Sequence, residues 1–170
     1  MTSPAIGLVG IALDGFTQAR VRLARTLDET TNLYAVTVPV METAYWARTL
    51  DEQLANADTA YAAARQQPTG QVIRGLQSLR NRTTHALPLT VRATGGLTMP
   101  ITLPVTIQPV SILWLPGDQL PPEEPKYASP KGRQAYNDAF AGRPVLEPLE
   151  GVAQWFAEER TRPGSALRSA

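Results

Sequence analysis

The sequence contains no cysteine and a single histidine, His85, in 170 residues. The absence of cysteine excludes disulfides, thiolate metal sites and a cysteine nucleophile. A lone histidine excludes a metal site built from several histidines. Because a chain without cysteine is also compatible with a reducing compartment, we expect the protein to be cytoplasmic.

Long apolar runs are missing as well. No stretch approaches the roughly 18–20 apolar residues needed to cross a bilayer, so we expect no membrane partner. Residues 1–15 have no basic residue before their apolar stretch, which Asp14 interrupts, so we expect no signal peptide. Since no cluster of metal ligands and no phosphate-binding loop is visible, the sequence predicts no metal ion or other cofactor.

The chain as a whole has almost no net charge, but one segment of it is strongly basic. Sixteen basic and fifteen acidic residues leave a net charge of +1, which does not force binding to a polyanion. No acidic residue lies between Asp58 and Asp118, and the same span carries Arg65, Arg74, Arg80, Arg82 and Arg92. This local excess would attract phosphate groups. The alternative is that these arginines only keep the segment soluble.

The first half of the chain has helical periodicity. Apolar residues recur at three- and four-residue steps over residues 6–27, which predicts an amphipathic helix. The β-branched stretch Val36–Val40 precedes a second helical pattern that runs through Leu50 and Leu54. A further helix begins near Gln71, with an apolar face formed by Val72, Ile73, Leu76 and Leu79.

The middle of the chain changes to a period of two. From Leu97 to Ile107 apolar residues alternate with threonine or proline, which predicts a strand at the edge of a sheet. Residues 87–93 alternate too, and Thr94-Gly95-Gly96 separates the two runs. We therefore expect a β-hairpin in which Leu97–Ile107 pairs with residues near Leu89–Ala93. Residues 110–115 are a candidate third strand.

The C-terminal third begins with a proline-rich connector. Ser129 is a typical N-cap and Pro130 a typical first residue of a helix that continues to Ala141. A last helix over residues 148–160 carries Trp155 and Phe156, which we expect to pack back on the bundle. Residues 161–170 resemble a frayed tail.

These patterns predict a mainly α protein with three parts. Residues 1–90 form a helical bundle, residues 91–115 a β-hairpin arm, and residues 116–170 the connector and C-terminal helices. Apolar residues make up 43% of the chain, which is enough for a core.

The end of the helix near Gln71 carries the residues with the most informative chemistry. Asn81 and His85 are four residues apart and share one helix face, and Arg80 flanks that face. Imidazole can transfer protons near neutral pH, and guanidinium binds phosphate oxygens with two hydrogen bonds. The group therefore suits metal-independent cleavage of RNA, in which Arg74 and Arg82 would contribute to substrate binding.

Arg80, Asn81 and His85 resemble the signature of the HEPN superfamily. Its motif is an arginine, commonly followed by asparagine, aspartate or histidine, and then a histidine after four to six intervening residues. The resemblance implies a HEPN-like helical bundle, a homodimer across the motif helices and metal-independent endoribonuclease activity in phage defence or a toxin–antitoxin system. It also implies catalytic roles for Arg80, Asn81 and His85. One histidine per chain is consistent with a dimer that brings two copies together.

Two alternatives to catalysis are open. His85, Arg80 and Arg82 could simply satisfy the last carbonyls and the dipole of their helix. The protein could also be a non-catalytic binding or assembly module, whose β arm adds a strand to a protein partner while the arginine-rich region binds nucleic acid.

We expect two further groups of residues on the second helix to have structural rather than functional roles. Tyr45 and Trp46 could stack on a base, but aromatic residues at helical spacing more often belong to the core. Asp51 and Glu52 are adjacent carboxylates of the kind that usually form a solvated helix face.

Overall fold

The structure is a computed structural model that describes residues 4–83, 90–96 and 108–170. These residues form six α-helices and one two-stranded antiparallel sheet, which confirms the prediction of a mainly α fold. None of the helices in these ranges is long and apolar enough to span a membrane. His85 and the segment Leu97–Ile107, on which several predictions fall, lie outside the described residues.

Helices α1 (Pro4–Glu29) and α2 (Leu33–Ala57) form an antiparallel pair. Arg22 on α1 forms an ion pair with Glu42 on α2 at 2.5 Å. Further along the pair, Gly15 lies against the ring of Trp46, and a Cβ atom on Gly15 would come within 2.4 Å of that ring. The glycine therefore sets how closely the two helices approach.

Helix α2 begins earlier than the sequence pattern predicted. The side chain of Asn32 accepts hydrogen bonds from the backbone N–H groups of Tyr34 and Ala35 and so caps the helix. The β-branched stretch is helical rather than a lead-in, and Pro39 lies inside the helix. Val36 and Val40 are fully buried, so packing against the core outweighs the weak helix propensity of valine.

Two shorter helices follow, α3 (Thr59–Ala64) and α4 (Gln71–Thr83), with a 3₁₀ turn at Pro68–Gly70 between them. Asp58 caps α3 by accepting a hydrogen bond from the N–H of Tyr61 at 3.0 Å. The apolar face predicted for α4 is confirmed for Ile73, Leu76 and Leu79, which are fully buried, while Val72 is partly buried and packs against the core.

The sheet consists of β1 (Val91–Gly96) and β2 (Gln108–Trp114). Val91 pairs with Trp114, and Gly96 pairs with Gln108. The turn predicted at Thr94-Gly95-Gly96 is therefore wrong, because these residues belong to the strand. Gly95 and Gly96 have positive φ, and the register shifts between Thr94 and Gly96, which is typical of a bulge.

The strand partner of β1 among the described residues is the segment proposed as a third strand. Residues 91–94 pair with residues 111–114, while Leu97–Ile107 lies outside the described residues, so its pairing with β1 stays a prediction. The choice of partner follows from burial, because Val91, Ile112 and Trp114 belong to the core of the whole chain.

Helices α5 (Pro130–Ala139) and α6 (Leu146–Thr161) complete the fold. Ser129 caps α5 as predicted, since its hydroxyl accepts a hydrogen bond from the N–H of Gly132 at 3.1 Å. Gly75 lets α5 approach α4 closely, because a Cβ atom there would lie 3.0 Å from the carbonyl oxygen of Ala135. The predicted burial of Trp155 and Phe156 on α6 is confirmed.

The C-terminal tail is not frayed, contrary to the prediction. Arg162 forms an ion pair with Asp58, which also accepts a hydrogen bond from the N–H of Ala166. Leu167 is almost completely buried. The tail is held because Asp58, whose carboxylate caps α3, also binds the residues that follow α6.

Candidate functional site

Helix α4 places the predicted site residues on different sides. Arg74 and Asn81 are seven residues apart and line one cavity, whereas Arg80 lines another. Consecutive residues on a helix diverge by about 100°, so Arg80 and Asn81 do not share a face. His85, the third residue of the motif, lies outside the described residues. Of the two motif residues that the structure describes, each therefore lines a different cavity.

Arg82 is used inside the fold. Its side chain is only 4% exposed, and it donates a hydrogen bond to the carbonyl oxygen of Gly117 at 2.6 Å. Its Nε lies 3.4 Å from Glu123. These contacts fasten the proline-rich connector to α4, so Arg82 is not positioned to bind a substrate as predicted.

A polar cleft lies between α4 and the start of α5, with a volume of about 330 Å³. Arg74 and Lys131 are the cations of this cleft, and among the described residues neither forms an ion pair with a carboxylate. The Nε of Arg74 is buried and has no hydrogen-bond partner there. The residues that line the cleft include Arg74, Gln77, Asn81, Glu123, Ser129 and Lys131.

Glu123 is the acidic residue of the cleft, and its charge is neutralised. It accepts hydrogen bonds from the hydroxyl of Ser78 at 2.6 Å and from the N–H of Ser129 at 3.2 Å, and it pairs with Arg82. Burial alone would raise the pKa of Glu123, but these hydrogen bonds and the Arg82 charge outweigh it and hold that pKa below its ordinary value. Arg74 and Lys131 therefore determine the charge of the cleft.

An apolar groove lies on the other side of the last turn of α4, against α2. Its volume is about 440 Å³. The residues that line it include Val38, Met41, Glu42, Tyr45, Arg80 and Thr83. Tyr45 is 62% exposed, so the prediction that it belongs to the core is wrong. Its neighbour Trp46 does pack against the core.

Asp51 is fully buried, so the prediction that it lies on a solvated helix face is wrong for this residue. Its carboxylate pairs with Arg48 and with Arg65, and it accepts hydrogen bonds from Tyr61 at 2.9 Å and Gln77 at 3.0 Å. Burial and the Asp51 charge raise the pKa of Tyr61 well above its ordinary value. This network connects α2, α3 and α4 and supports the helix that carries the cleft.

The excess of arginine between Asp58 and Asp118 is partly cancelled in space. Arg65 pairs with Asp51, and Arg82 pairs with Glu123, so carboxylates from outside the span neutralise two of its five arginines. Arg74 lies in the cleft, and Arg80 lies at the edge of the groove. The positive charge of the span is therefore not available as a whole, because Arg65 and Arg82 are used in ion pairs within the fold.

Sequence reasoning missed Lys131, Gln77 and Glu123 as components of the cleft. Ser129 and Pro130 predicted where α5 begins, but not which side of α4 it meets. Gly75 was an available signal, because a glycine within a helix often marks a close approach by another backbone.

The described ranges contain no group of three or more acidic, histidine or cysteine side chains that could hold a metal ion. Comparison with protein-family models, curated proteins and solved structures finds no match to this chain. The functional argument therefore depends on the geometry around α4.

Replacing Glu123 with glutamine tests whether its charge holds the wall of the cleft. Glu123→Gln leaves the buried Arg82 without a counter-charge, so we expect the free energy of unfolding at pH 7 to fall by on the order of 3 kcal/mol. Urea denaturation of the full chain measures this change. Glu29→Gln, which removes a charge from an exposed pair on α1, should change stability by less than about 0.5 kcal/mol.

The difference in the free energy of unfolding between the wild type and Glu123→Gln should depend on pH. Because the pKa of Glu123 lies below its ordinary value of 4.5, its stabilising effect is complete above pH 4.5 and is lost as the pH falls through the lowered pKa. The gap in stability between the wild type and Glu123→Gln should therefore narrow below pH 4.5. A gap that stays constant down to pH 2.5 would contradict the role of the charge.

Proposed function

We propose that the protein binds RNA through a phosphate group seated in the cleft between α4 and α5, and that it cleaves RNA without a metal ion in the manner of HEPN proteins. The observation that carries the proposal is the charge of the cleft. Arg74 and Lys131 have no carboxylate partner among the described residues, while the acid beside them, Glu123, is neutralised by Arg82.

The donors in the cleft match the chemistry of a phosphate. Guanidinium offers a planar pair of N–H groups, and an ammonium group adds a compact charge. The amide side chains of Gln77 and Asn81 can donate further hydrogen bonds without adding charge. A neutral, apolar ligand would leave these donors unsatisfied, which disfavours it.

Cleavage is proposed for the end of α4. The 2′-hydroxyl oxygen would attack the adjacent phosphorus, the bond to the 5′-oxygen would break, and a cyclic phosphate would form. His85 would accept the proton of the 2′-hydroxyl, and the leaving 5′-oxygen would receive a proton from a second imidazole supplied by a homodimer. Arg80 would stabilise the charge that develops on the phosphoryl oxygens, and Asn81 would orient His85.

A non-catalytic RNA-binding module is the second candidate. It is favoured by the divergence of Arg80 and Asn81 into separate cavities, since a shared catalytic pocket needs its residues on one side. The β arm proposed to engage a protein partner, Leu97–Ile107, lies outside the described residues. Both candidates require the cleft to bind RNA, and they differ in whether the RNA is cut.

Neutralising the two cations tests binding. Arg74→Gln and Lys131→Gln should each weaken the binding of a single-stranded oligoribonucleotide and lower the slope of log affinity against log salt by about 0.7, because each loses one phosphate contact. Fluorescence anisotropy over a salt series measures both quantities. Arg25→Gln removes the same charge from an exposed pair on α1 and should bind like the wild type. Equal losses in all three variants would indicate only a general effect of charge.

Replacing the histidine separates the two candidates. If the motif is catalytic, His85→Ala should abolish cleavage of a labelled RNA in the presence of EDTA and leave its binding unchanged. Arg80→Lys should also fail, because a point charge does not replace the planar guanidinium on a phosphate. Gel analysis of RNA fragments gives the result. Cleavage that persists in His85→Ala, or that stops with EDTA in the wild type, would contradict the proposed roles.

A further inference from the structure

The hydroxyl group of Ser129 lies in the wall of the cleft and is accessible from solvent. Ser129 is exposed, and it lines the cleft together with Arg74 and Lys131. Its hydroxyl oxygen accepts a hydrogen bond from the N–H of Gly132 at 3.1 Å. Because the oxygen acts there only as an acceptor, this bond leaves the hydroxyl proton available for transfer.

The cations of the cleft match the charge that a phosphoryl group on Ser129 would bring. Arg74 and Lys131 form no ion pair with a carboxylate among the described residues. Arg74 donates a hydrogen bond to the carbonyl oxygen of Gln67 at 3.4 Å, a contact that does not neutralise its charge. A phosphoserine carries a charge of about −1.5 to −2 at pH 7, so a phosphoryl group on Ser129 would cancel the charge of both cations.

The place of Ser129 at the start of α5 also tolerates a negative charge. An anion at the N-cap of a helix interacts favourably with the N–H groups of its first turn. Glu123, the acidic residue among the described lining of the cleft, accepts a hydrogen bond from the N–H of Ser129, but its own charge is neutralised by Arg82. A modified Ser129 would therefore change the charge of the cleft without disrupting the fold.

We infer that Ser129 is a phosphorylation site, and that its phosphoryl group closes the cleft to RNA by taking the place of an RNA phosphate. This inference rests on the proposed function and names a regulation of the same site. Pro130 directly follows Ser129, and a serine followed by proline is what proline-directed protein kinases recognise.

The modification is an ordinary phosphoryl transfer. The hydroxyl oxygen of Ser129 would attack the γ-phosphorus of ATP held by the kinase. The bond from that phosphorus to the β–γ bridging oxygen would break, and ADP would leave. The hydroxyl proton would pass to an aspartate of the kinase.

Variants of the full chain test the effect of charge at this position. Ser129→Asp and Ser129→Asn both keep a good N-cap side chain, so they differ in one negative charge. Ser129→Asp should bind a single-stranded oligoribonucleotide more weakly than Ser129→Asn, and its slope of log affinity against log salt should be smaller by about 0.7, because the added charge cancels one phosphate contact. Phosphoserine installed at position 129 by a suppressor tRNA should lower the slope by about 1.4. Asn32→Asp adds the same charge to the cap of α2 and should bind like the wild type.

A second experiment asks whether the folded protein offers the hydroxyl to a kinase. A proline-directed serine kinase with ATP and Mg²⁺ should phosphorylate the full chain at Ser129, as located by peptide mass spectrometry, and Ser129→Asn should gain no phosphate there. A synthetic peptide of residues 124–134 is the reference substrate. Phosphate on the peptide alone, or on neither, would overturn the inference.

The outcomes separate this inference from the proposed function. If Arg74→Gln weakens RNA binding while Ser129→Asp and the phosphorylated protein bind as tightly as Ser129→Asn, the inference fails and the proposed function stands. If Arg74→Gln does not weaken binding, the proposed function fails and the inference fails with it. Urea denaturation of the phosphorylated protein should give a midpoint no lower than that of Ser129→Asn. A lower midpoint together with lost binding would overturn the inference, because the phosphoryl group would then disrupt the fold instead of filling the cleft.

Discussion

The ion pair between Arg82 and Glu123 is the interaction on which the rest of the site depends. Both side chains are almost fully buried, and breaking such a pair is costly because it leaves a charge without compensation in the interior. The pair fastens the connector to α4 and so positions the start of α5, which supplies Ser129 and Lys131. It also neutralises Glu123, the acidic residue among the described lining of the cleft, whose charge would otherwise repel a phosphate. This single ion pair thus fixes the wall of the cleft and leaves the cleft with a positive net charge.

The residues of helix α4 face three different surroundings: the core, the cleft and the groove. Ile73, Leu76 and Leu79 face the core, Arg74 and Asn81 face the cleft, and Arg80 faces the groove on α2. Gln77 reaches the buried carboxylate of Asp51 and joins the helix to α2. The proposed binding of a phosphate in the cleft therefore depends on a helix that is anchored on its other sides.

Much of the helical fold could be predicted from the sequence, because period, capping residues and proline act locally. The start of α5 at Ser129-Pro130 and the buried face of α4 are examples. The partner of β1 and the start of α2 could not, because both depend on which apolar residues the assembled core accepts. The residues of the site also fall into those that the sequence could predict and those that it could not. Arg74 and Asn81 could be found as polar residues on α4, whereas the burial of Arg82 and Asp51 and the placement of Lys131 follow only from contacts between residues distant in the chain.

The guanidinium group of Arg74 offers the most direct test of phosphate binding in the cleft, because Arg74 lines the cleft and forms no ion pair with a carboxylate among the described residues. Nuclear magnetic resonance resolves the Nε–H signals of arginine side chains during a titration with a single-stranded oligoribonucleotide. The account predicts a saturable shift of the Arg74 signal, as the phosphate approaches its guanidinium group, while the signal of Arg82, which is buried against Glu123, stays in place. An Arg74 signal that does not move while the RNA binds, or one that moves no more than that of Arg82, would contradict the account.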